Sequence, residues 1–154
     1  MPRLTVILSL LAALPATPAA AHWEYTRWGM TEAQVVAASR TAVRALPPAE
    51  RRAVPAARME YRAAGEFRAG ALRLSVAFAF DSRNGGLVCV SARGEARHAG
   101  ALRTRLERRF GPPQERGQDP ASGTESLGWS RPDEIDLQIT PGGMVELLHC
   151  ARGV

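Results

Sequence analysis

Histidine has the widest chemical range of the residue types in this chain, which contains three: His22, His98 and His149. If the chain is cleaved after Ala21, the mature protein begins with His22. The α-amine and imidazole of His22 would then bind one metal ion, and His98 or His149 would complete a nitrogen-rich site suited to Cu(II). The alternative is a frayed terminus and two structural histidines. We favour that alternative, so no metal or other cofactor is expected.

The two cysteines, Cys89 and Cys150, can form a disulfide in an oxidising compartment. The bridge would close a loop of about 60 residues and would stabilise the fold by on the order of 4 kcal/mol. Two separate buried thiols are the alternative. A metal site is disfavoured because no cluster of other ligands lies near either cysteine in the sequence. The disulfide is therefore the favoured interpretation.

All 20 basic residues are arginine, and the formal net charge is +5. Guanidinium groups bind phosphate and carboxylate bidentately, so arginines on one side of a predicted helix form a candidate surface for an anionic partner. A solvated helix face and an arginine-rich codon usage are the alternative explanation. Aromatic residues do not interleave with these arginines, so nucleic acid is not expected as a partner. The candidate residues are Arg97, Arg105, Arg108 and Arg109.

Motifs of common enzyme classes are missing from the sequence. It contains no G-x-S-x-G, no H-E-x-x-H and no P-loop. The acidic residues are scattered, and we assign the local group Asp133, Glu134 and Asp136 to a turn and an exposed strand face. The sequence therefore predicts a protein that is not an enzyme. A hydrolase triad assembled from distant residues is kept as a third hypothesis, because triads are defined by geometry and not by order in the sequence.

The N-terminus has the organisation of a secretory signal peptide. Arg3 supplies a positive charge, residues 4–14 are apolar, and residues 15–21 end in small residues that form an A-x-A cleavage site. The apolar run is too short to span a bilayer, which takes about 20 residues. The sequence thus predicts a signal peptide over 1–21, a single domain over 22–154 and a periplasmic or secreted location, with no transmembrane segment.

The first half of this domain predicts one helix and three strands. Thr31 and Gln34 form a capping box, and the helix is expected to reach about Ala45, before Pro47 and Pro48. Residues 49–55 are expected to add one helical turn. The strands are expected around 59–63, 71–81 and 87–92, with a turn flanked by Gly65 and Gly70 and a hairpin turn over 82–86. The apolar face of the middle strand consists of Leu72, Leu74, Val76, Phe78 and Phe80.

The second half repeats this coarse order. A helix is expected over 96–110 because its apolar residues recur at helical spacing and Gly111 and two prolines follow. A polar loop over 114–123 comes next. Three strands are then expected over 124–130, 134–140 and 143–150. The predicted fold class is α+β, in which two helices pack on an antiparallel sheet of about six strands in the order α-β-β-β-α-β-β-β.

The helix start W-G-M-T-E-A-Q-V at residues 28–35 carries a family resemblance. It resembles the G-M-T-x-x-Q-V helix start of small exported α+β proteins of the β-lactamase inhibitor protein type and of the small lipoprotein subunit of the outer-membrane assembly machine. It is more similar to exported alphaproteobacterial proteins that begin with W-G-M-T/S. Those also have a later helix that ends in F/Y-G-x-P, as residues 110–113 do here. The resemblance implies fold more than function.

Together these features favour an exported, non-catalytic binding or envelope-associated protein. Its partner would be an envelope protein or an anionic envelope component. The aromatic residues Trp23, Tyr25 and Trp28 either anchor the N-terminal segment to the sheet, which we prefer, or form an edge for a partner. A copper-binding protein that uses His22 is the alternative function.

The export prediction is tested by the mass of the mature chain. When the full-length chain is expressed in its native host, we expect cleavage after Ala21 and a protein whose first residue is His22, because residues 19–21 provide the small side chains that the peptidase requires. Intact mass and N-terminal peptide sequencing measure this directly. A mature chain that begins elsewhere would remove the copper hypothesis, and an uncleaved cytosolic chain would contradict export.

Overall fold

The fold is known from a computed structural model that describes residues 23–154. The predicted signal peptide and His22 lie outside the described residues. A single antiparallel sheet of nine strands runs through the molecule, and it is accompanied by two α-helices. The helices are α1, Glu32–Ala38, and α2, Ala99–Phe110. Neither helix is long and apolar enough to cross a membrane.

The sheet consists of two halves that meet at its centre. Its order is β1-β3-β4-β5-β9-β8-β7-β6, and β2 pairs with β3 beside β1. Each half is a helix followed by a meander that ends in a central strand, so the last strands of the two halves, β5 and β9, pair with each other. The strands are β1 Val43–Ala45, β2 Arg52–Val54, β3 Met59–Ala69, β4 Leu72–Asp81, β5 Leu87–Glu95, β6 Glu115–Gln118, β7 Glu125–Trp129, β8 Glu134–Ile139 and β9 Met144–Cys150.

One face of the sheet is covered by both helices. Val35 of α1 and Leu102 and Leu106 of α2 belong to the same buried cluster as the core-facing side chains of the sheet. The predicted apolar face of β4 is confirmed, since Leu72, Leu74, Val76, Phe78 and Phe80 are all buried. A smaller cluster lies on the other face, where residues 54–57 cover Tyr61 and Cys89. The α+β class is therefore confirmed.

The predicted count of about six strands is wrong because three short strands lie outside the six long ones. β1, β2 and β6 each have only three or four residues and add to the edges of the sheet. Strands of three or four residues are too short to show the alternation that identifies a strand in sequence, and their pairing partner determines them. The segment 114–123, expected as a loop, contains β6. The segment 49–55, expected as one helical turn, begins within a 3-10 turn at Pro48–Glu50 and continues as β2.

The first helix is shorter than predicted. Its capping box is present, with Thr31 Oγ1 accepting from the Gln34 backbone and the Gln34 side chain accepting from the Thr31 backbone. It ends at Ala38, however, and the Ser39 hydroxyl then accepts a hydrogen bond from the Val43 backbone. The chain turns through residues 40 and 41 at positive φ and enters β1, where pairing with β3 outweighs the helical propensity of the segment.

Gly65 does not flank a turn, as was expected, but lies within β3. The connection between α1 and β1 crosses β3 at this residue, and the Gly65 backbone lies directly beneath it. A Cβ atom at position 65 would be 1.9 Å from the Ala42 carbonyl oxygen, so only glycine fits without movement of the backbone. The turn that follows β3 is formed by Gly70, which has φ +61°.

The predicted disulfide joins the two halves of the sheet. Cys89 of β5 and Cys150 of β9 are direct partners in the register, with a Cα–Cα distance of 4.0 Å, and their sulfur atoms are bonded. The bridge spans a sequence separation of 61 residues. Because it closes a long loop of the unfolded chain, the bridge lowers the entropy of the unfolded state.

Removal of this bridge should destabilise the protein strongly. For Cys89→Ala/Cys150→Ala we expect the free energy of unfolding to fall by on the order of 4 kcal/mol relative to the oxidised chain, because the unfolded state regains its loop entropy. Urea unfolding followed by circular dichroism measures the loss. The reduced wild type serves as the control and should unfold close to the double variant. Equal stability of the oxidised and reduced chains would contradict the expectation.

Candidate functional site

The most unusual pair of polar side chains lies inside the core. The Nε2 atom of His149, on β9, is 2.6 Å from the Oδ2 atom of Asp133, which lies just before β8. His149 is 1% exposed and Asp133 is 4% exposed. Both residues are thus removed from water, and each provides the other's polar contact. A buried polar group is costly without a hydrogen-bond partner, so this contact is required by its surroundings.

Aromatic rings enclose this pair. Trp28 and Phe110 both meet the His149 imidazole edge to face, with ring centroids 5.1 Å and 5.4 Å away. The Nδ1 atom of His149 and the Nε1 atom of Trp28 are buried and have no hydrogen-bond partner among the described residues. The imidazole therefore has a single polar contact, and aromatic rings pack against it on other sides.

His149 does not complete a hydrolase triad with any of residues 23–154. An imidazole in a triad holds a carboxylate on one nitrogen and a nucleophile on the other. The second nitrogen of His149, Nδ1, has no partner and is sealed from solvent. The Asp133–His149 pair has the composition of two triad members, but its position in the core gives it a structural role in joining the β7–β8 turn to β9.

Nothing in the sequence indicates that these two residues pair. Asp133 lies in the expected turn before β8, but its side chain is buried there. Asp133 is buried because its carboxylate turns inward to His149. One signal was present in the sequence. Every second residue of β9 faces the core, namely Val145, Leu147 and His149. The histidine thus occupies a position where the alternation predicts an apolar residue.

The four arginines of the predicted anionic surface do not form one free cationic row. Arg105 binds Glu24 through two hydrogen bonds of 2.8 and 2.6 Å, and this contact holds the N-terminal segment against α2. Arg97 pairs with Glu95. Arg108 and Arg109 form no ion pair with residues 23–154, and Arg109 lies over the Phe110 ring. The helix face is therefore largely neutralised where it meets the N-terminal segment.

The histidines of the copper hypothesis are not seen together. His22 lies outside the described residues. His98 is buried in a 3-10 turn before α2, and His149 is held by Asp133. Within residues 23–154, no group of three or more histidine, cysteine or acidic side chains is arranged to hold a metal ion.

The N-terminal aromatic residues pack onto the core, as we preferred. The Trp23 ring meets Phe67 edge to face at 5.3 Å, and the Tyr25 ring lies 6.4 Å from that of Phe78. Burial, and to a lesser extent the charge of Glu24, raises the pKa of Tyr25 to about 12. Tyr25 is consequently neutral over the physiological range. These residues act as anchors that close the helix-bearing side of the sheet.

The opposite side of the sheet is the open face, which we define by the side chains that point away from both helices. Along its middle, register places Ala64 opposite Ala77, Ala77 opposite Ser91, and Ser91 opposite Leu148. The adjacent row is charged or polar, and no helix covers it. Its members are Glu66, Ser75, Arg93, Glu146 and Gln138.

The centre of the open face contains a shallow depression of about 280 Å³. Arg52 and Tyr61 form one side, where the guanidinium lies 4.4 Å from the centre of the Tyr61 ring. Asp136 and Gln138 of β8 form the other side. Leu148 is 39% exposed at its floor and is one of the few large apolar side chains that the described residues expose. The depression combines a small apolar floor with a polar rim.

Comparisons with known proteins add no relative. The chain matches no protein-family model, no curated protein and no solved structure. The resemblance carried by the helix start at 28–35 and the helix end at 110–113 therefore stays a prediction.

The energetic role of the buried pair is tested by a double-mutant cycle. We expect Asp133→Ala to cost about 3 kcal/mol, because it leaves a buried imidazole without its only partner. The double variant Asp133→Ala/His149→Leu should recover part of this loss, since no unpaired polar group remains at position 149. Urea unfolding of the four proteins gives the coupling free energy. Strictly additive effects would show that the two side chains do not depend on each other.

Proposed function

We propose that this chain is an exported, non-catalytic binding protein that contacts a protein partner of the cell envelope through the open face of its sheet. The observation that carries this proposal is the one-sided arrangement of the fold. Both helices and the N-terminal segment pack on one face, whereas small and charged side chains without a helical cover occupy the centre of the other face.

The chemistry of the open face suits association with a protein. Interfaces between proteins combine a small, desolvated apolar centre with a polar rim. Leu148, Ala77 and Ser91 provide such a centre, and Arg93 and Glu146 belong to its rim. A sheet of this width presents on the order of 600 Å² on one face, near the roughly 800 Å² that each partner contributes to a standard interface.

The reactive groups that the sequence offered are engaged in holding the fold together. Cys89 and Cys150 are bonded to each other, Asp133 and His149 are sealed in the core, and Arg105 is bound to Glu24. Each of these contacts joins two elements of the fold. This distribution supports a role in binding more than one in catalysis.

Export is part of the proposal and rests on two features. Residues 1–21 have the charge and hydropathy pattern of a signal peptide. A disulfide between two strands of the sheet is compatible with folding in an oxidising compartment. A periplasmic location would give the open face access to proteins of the envelope.

Site-specific crosslinking in the native host tests the choice of face. A photoreactive residue is placed at position 148 on the open face and, in separate chains, at the exposed Ser75 on the same face and the exposed Thr104 on α2. We expect positions 148 and 75 to give the same discrete crosslinked species, because both lie within the proposed interface. Position 104 should give none.

A substitution at the centre of the open face tests whether the crosslink depends on that face. Ser91→Arg places a large charged side chain at the centre of the open face and should abolish the crosslink from position 75. Thr104→Arg is the matched control on the helix side and should leave it intact. Crosslinks that arise only from position 104, or that survive Ser91→Arg, would contradict the proposed interface.

A further inference from the structure

Strands β4 and β5, which both belong to the first half of the sheet, stop pairing before either strand ends and leave a notch there. Pairing between β3 and β4 continues to Ala69 and Leu72, and pairing between β5 and β9 continues to Glu95 and Met144. Pairing between β4 and β5, however, begins only at Ser75 and Arg93. A cavity of about 490 Å³ lies at these unpaired ends, where the Gly94 backbone stays close to Arg73 and Leu74.

Four arginines line this notch. Arg68 and Arg73 lie on the side of β3 and β4, and Arg93 and Arg97 lie on the side of β5 and the 3-10 turn that follows it. Only two carboxylates, Glu66 and Glu95, line the same cavity. Arg93 is also paired with Glu146 beside the cavity, so the notch carries an excess of one guanidinium, that of Arg73.

The arrangement of the arginines is unfavourable without an anion. Arg68 and Arg73 are direct partners in the register of β3 and β4, and like charges directly opposite each other destabilise a strand pair. Arg73 forms no ion pair with any residue of 23–154. A hydrogen bond from Arg68, followed by the charges of Arg68 and Arg73, holds the pKa of Glu66 below its ordinary value. The charges of both guanidiniums thus act on Glu66, but Glu66 accepts hydrogen bonds from Arg68 alone.

The carboxylates of the notch are weakly held partners. The Arg68–Glu66 pair has side chains that are 62% and 63% exposed, and the Arg97–Glu95 pair is similarly exposed. Ion pairs in water at this degree of exposure contribute little to stability. A ligand that carries more charge can therefore recruit Arg68 and Arg97 without a large loss of folding free energy.

We propose that the notch binds a diphosphate, or two closely spaced phosphate groups, of a small ligand or of a larger molecule that presents them. One phosphate group bridges Arg68 and Arg73, and the next reaches Arg93 or Arg97 across the gap. Guanidinium groups bind phosphate oxygens in pairs, so four of them match the oxygens of two phosphates. The volume of the notch lies within the range of small-molecule sites.

This site also revises the surface predicted from the sequence. Of the four arginines assigned to the helix face, only Arg97 belongs to the notch, where it is joined by Arg68, Arg73 and Arg93 from the sheet. Sequence spacing could not reveal the group, because its members lie on three strands and one turn that only the tertiary fold brings together.

Calorimetric titration of the purified mature chain tests the proposal. The probes are inorganic pyrophosphate in solution and, in a second arm, phosphatidylcholine vesicles that contain phosphatidic acid. We expect saturable one-to-one binding to pyrophosphate that weakens as salt is added. Arg68→Gln/Arg73→Gln should lower the affinity by at least about tenfold, since it removes two charge-assisted contacts. Arg73→Gln alone leaves the Glu66 pair intact and should lower it by a smaller factor.

The matched control is Arg108→Gln/Arg109→Gln, which removes the same net charge from the exposed end of α2. It should change the affinity by no more than about twofold. Binding of the vesicles alone, lost in the notch variant only, would assign the phosphates to a lipid headgroup. Failure of the wild type to bind either probe, or an equal loss in the notch and control variants, would overturn the proposal. Neither result depends on the protein partner of the open face, which crosslinking tests separately.

Discussion

The pairing of β5 with β9 is the constraint on which the rest of the structure depends. These two strands end the two halves of the chain, and seven consecutive pairs hold them in register from Cys89 and Cys150 to Glu95 and Met144. A slip of one residue would turn every side chain of β9 to the other face. Val145, Leu147 and His149 would then leave the core, and Leu148 would enter it. The disulfide fixes this register covalently at one end.

The same pairing explains why the two ends of the central strands differ. At the disulfide end, residues 54–57 cover the sheet and the bridge packs with Met59, Tyr61 and Ala79. At the other end, β5 stays paired with β9 and β4 stays paired with β3, but β4 and β5 no longer pair with each other. The central strands are thus covered and apolar at the disulfide end, whereas their opposite end is uncovered and basic.

Charge is distributed unevenly in a chain whose cations are all arginine. On the helix-bearing side, arginines hold elements together, as Arg105 does with Glu24 and Arg103 does with Glu107 and Glu125. On the open face, ion pairs such as Arg93–Glu146 lie along the sheet and are largely exposed. Exposed pairs exchange partners at little cost, whereas pairs that pack against rings do not. The ion pairs along the sheet are therefore more exposed than the Arg105–Glu24 pair that holds the N-terminal segment to α2.

The asymmetry of the fold also accounts for the buried polar pair. The helix-bearing side is sealed by Trp28 and Phe110, which flank the imidazole of His149. In this environment a lone imidazole would be costly, and Asp133 offsets that cost by turning inward from the β7–β8 turn. Asp133 and His149 thus satisfy each other's need for a hydrogen-bond partner in the core.

The sequence alone determined the features of this protein that follow from regular residue spacing, a capping motif or the cysteine count. Strict alternation defined β4 and its buried face, helical spacing defined α2, the capping box defined the start of α1, and the cysteine count indicated the disulfide. Apart from the cysteine count, these are local signals, because the period of side chains and the geometry of a cap are set within a few residues. Tertiary structure alone decided the short strands β1, β2 and β6, the end of α1, the inward turn of Asp133 and the grouping of arginines around the notch. Each of these depends on a partner distant in the chain, so no local pattern could specify it.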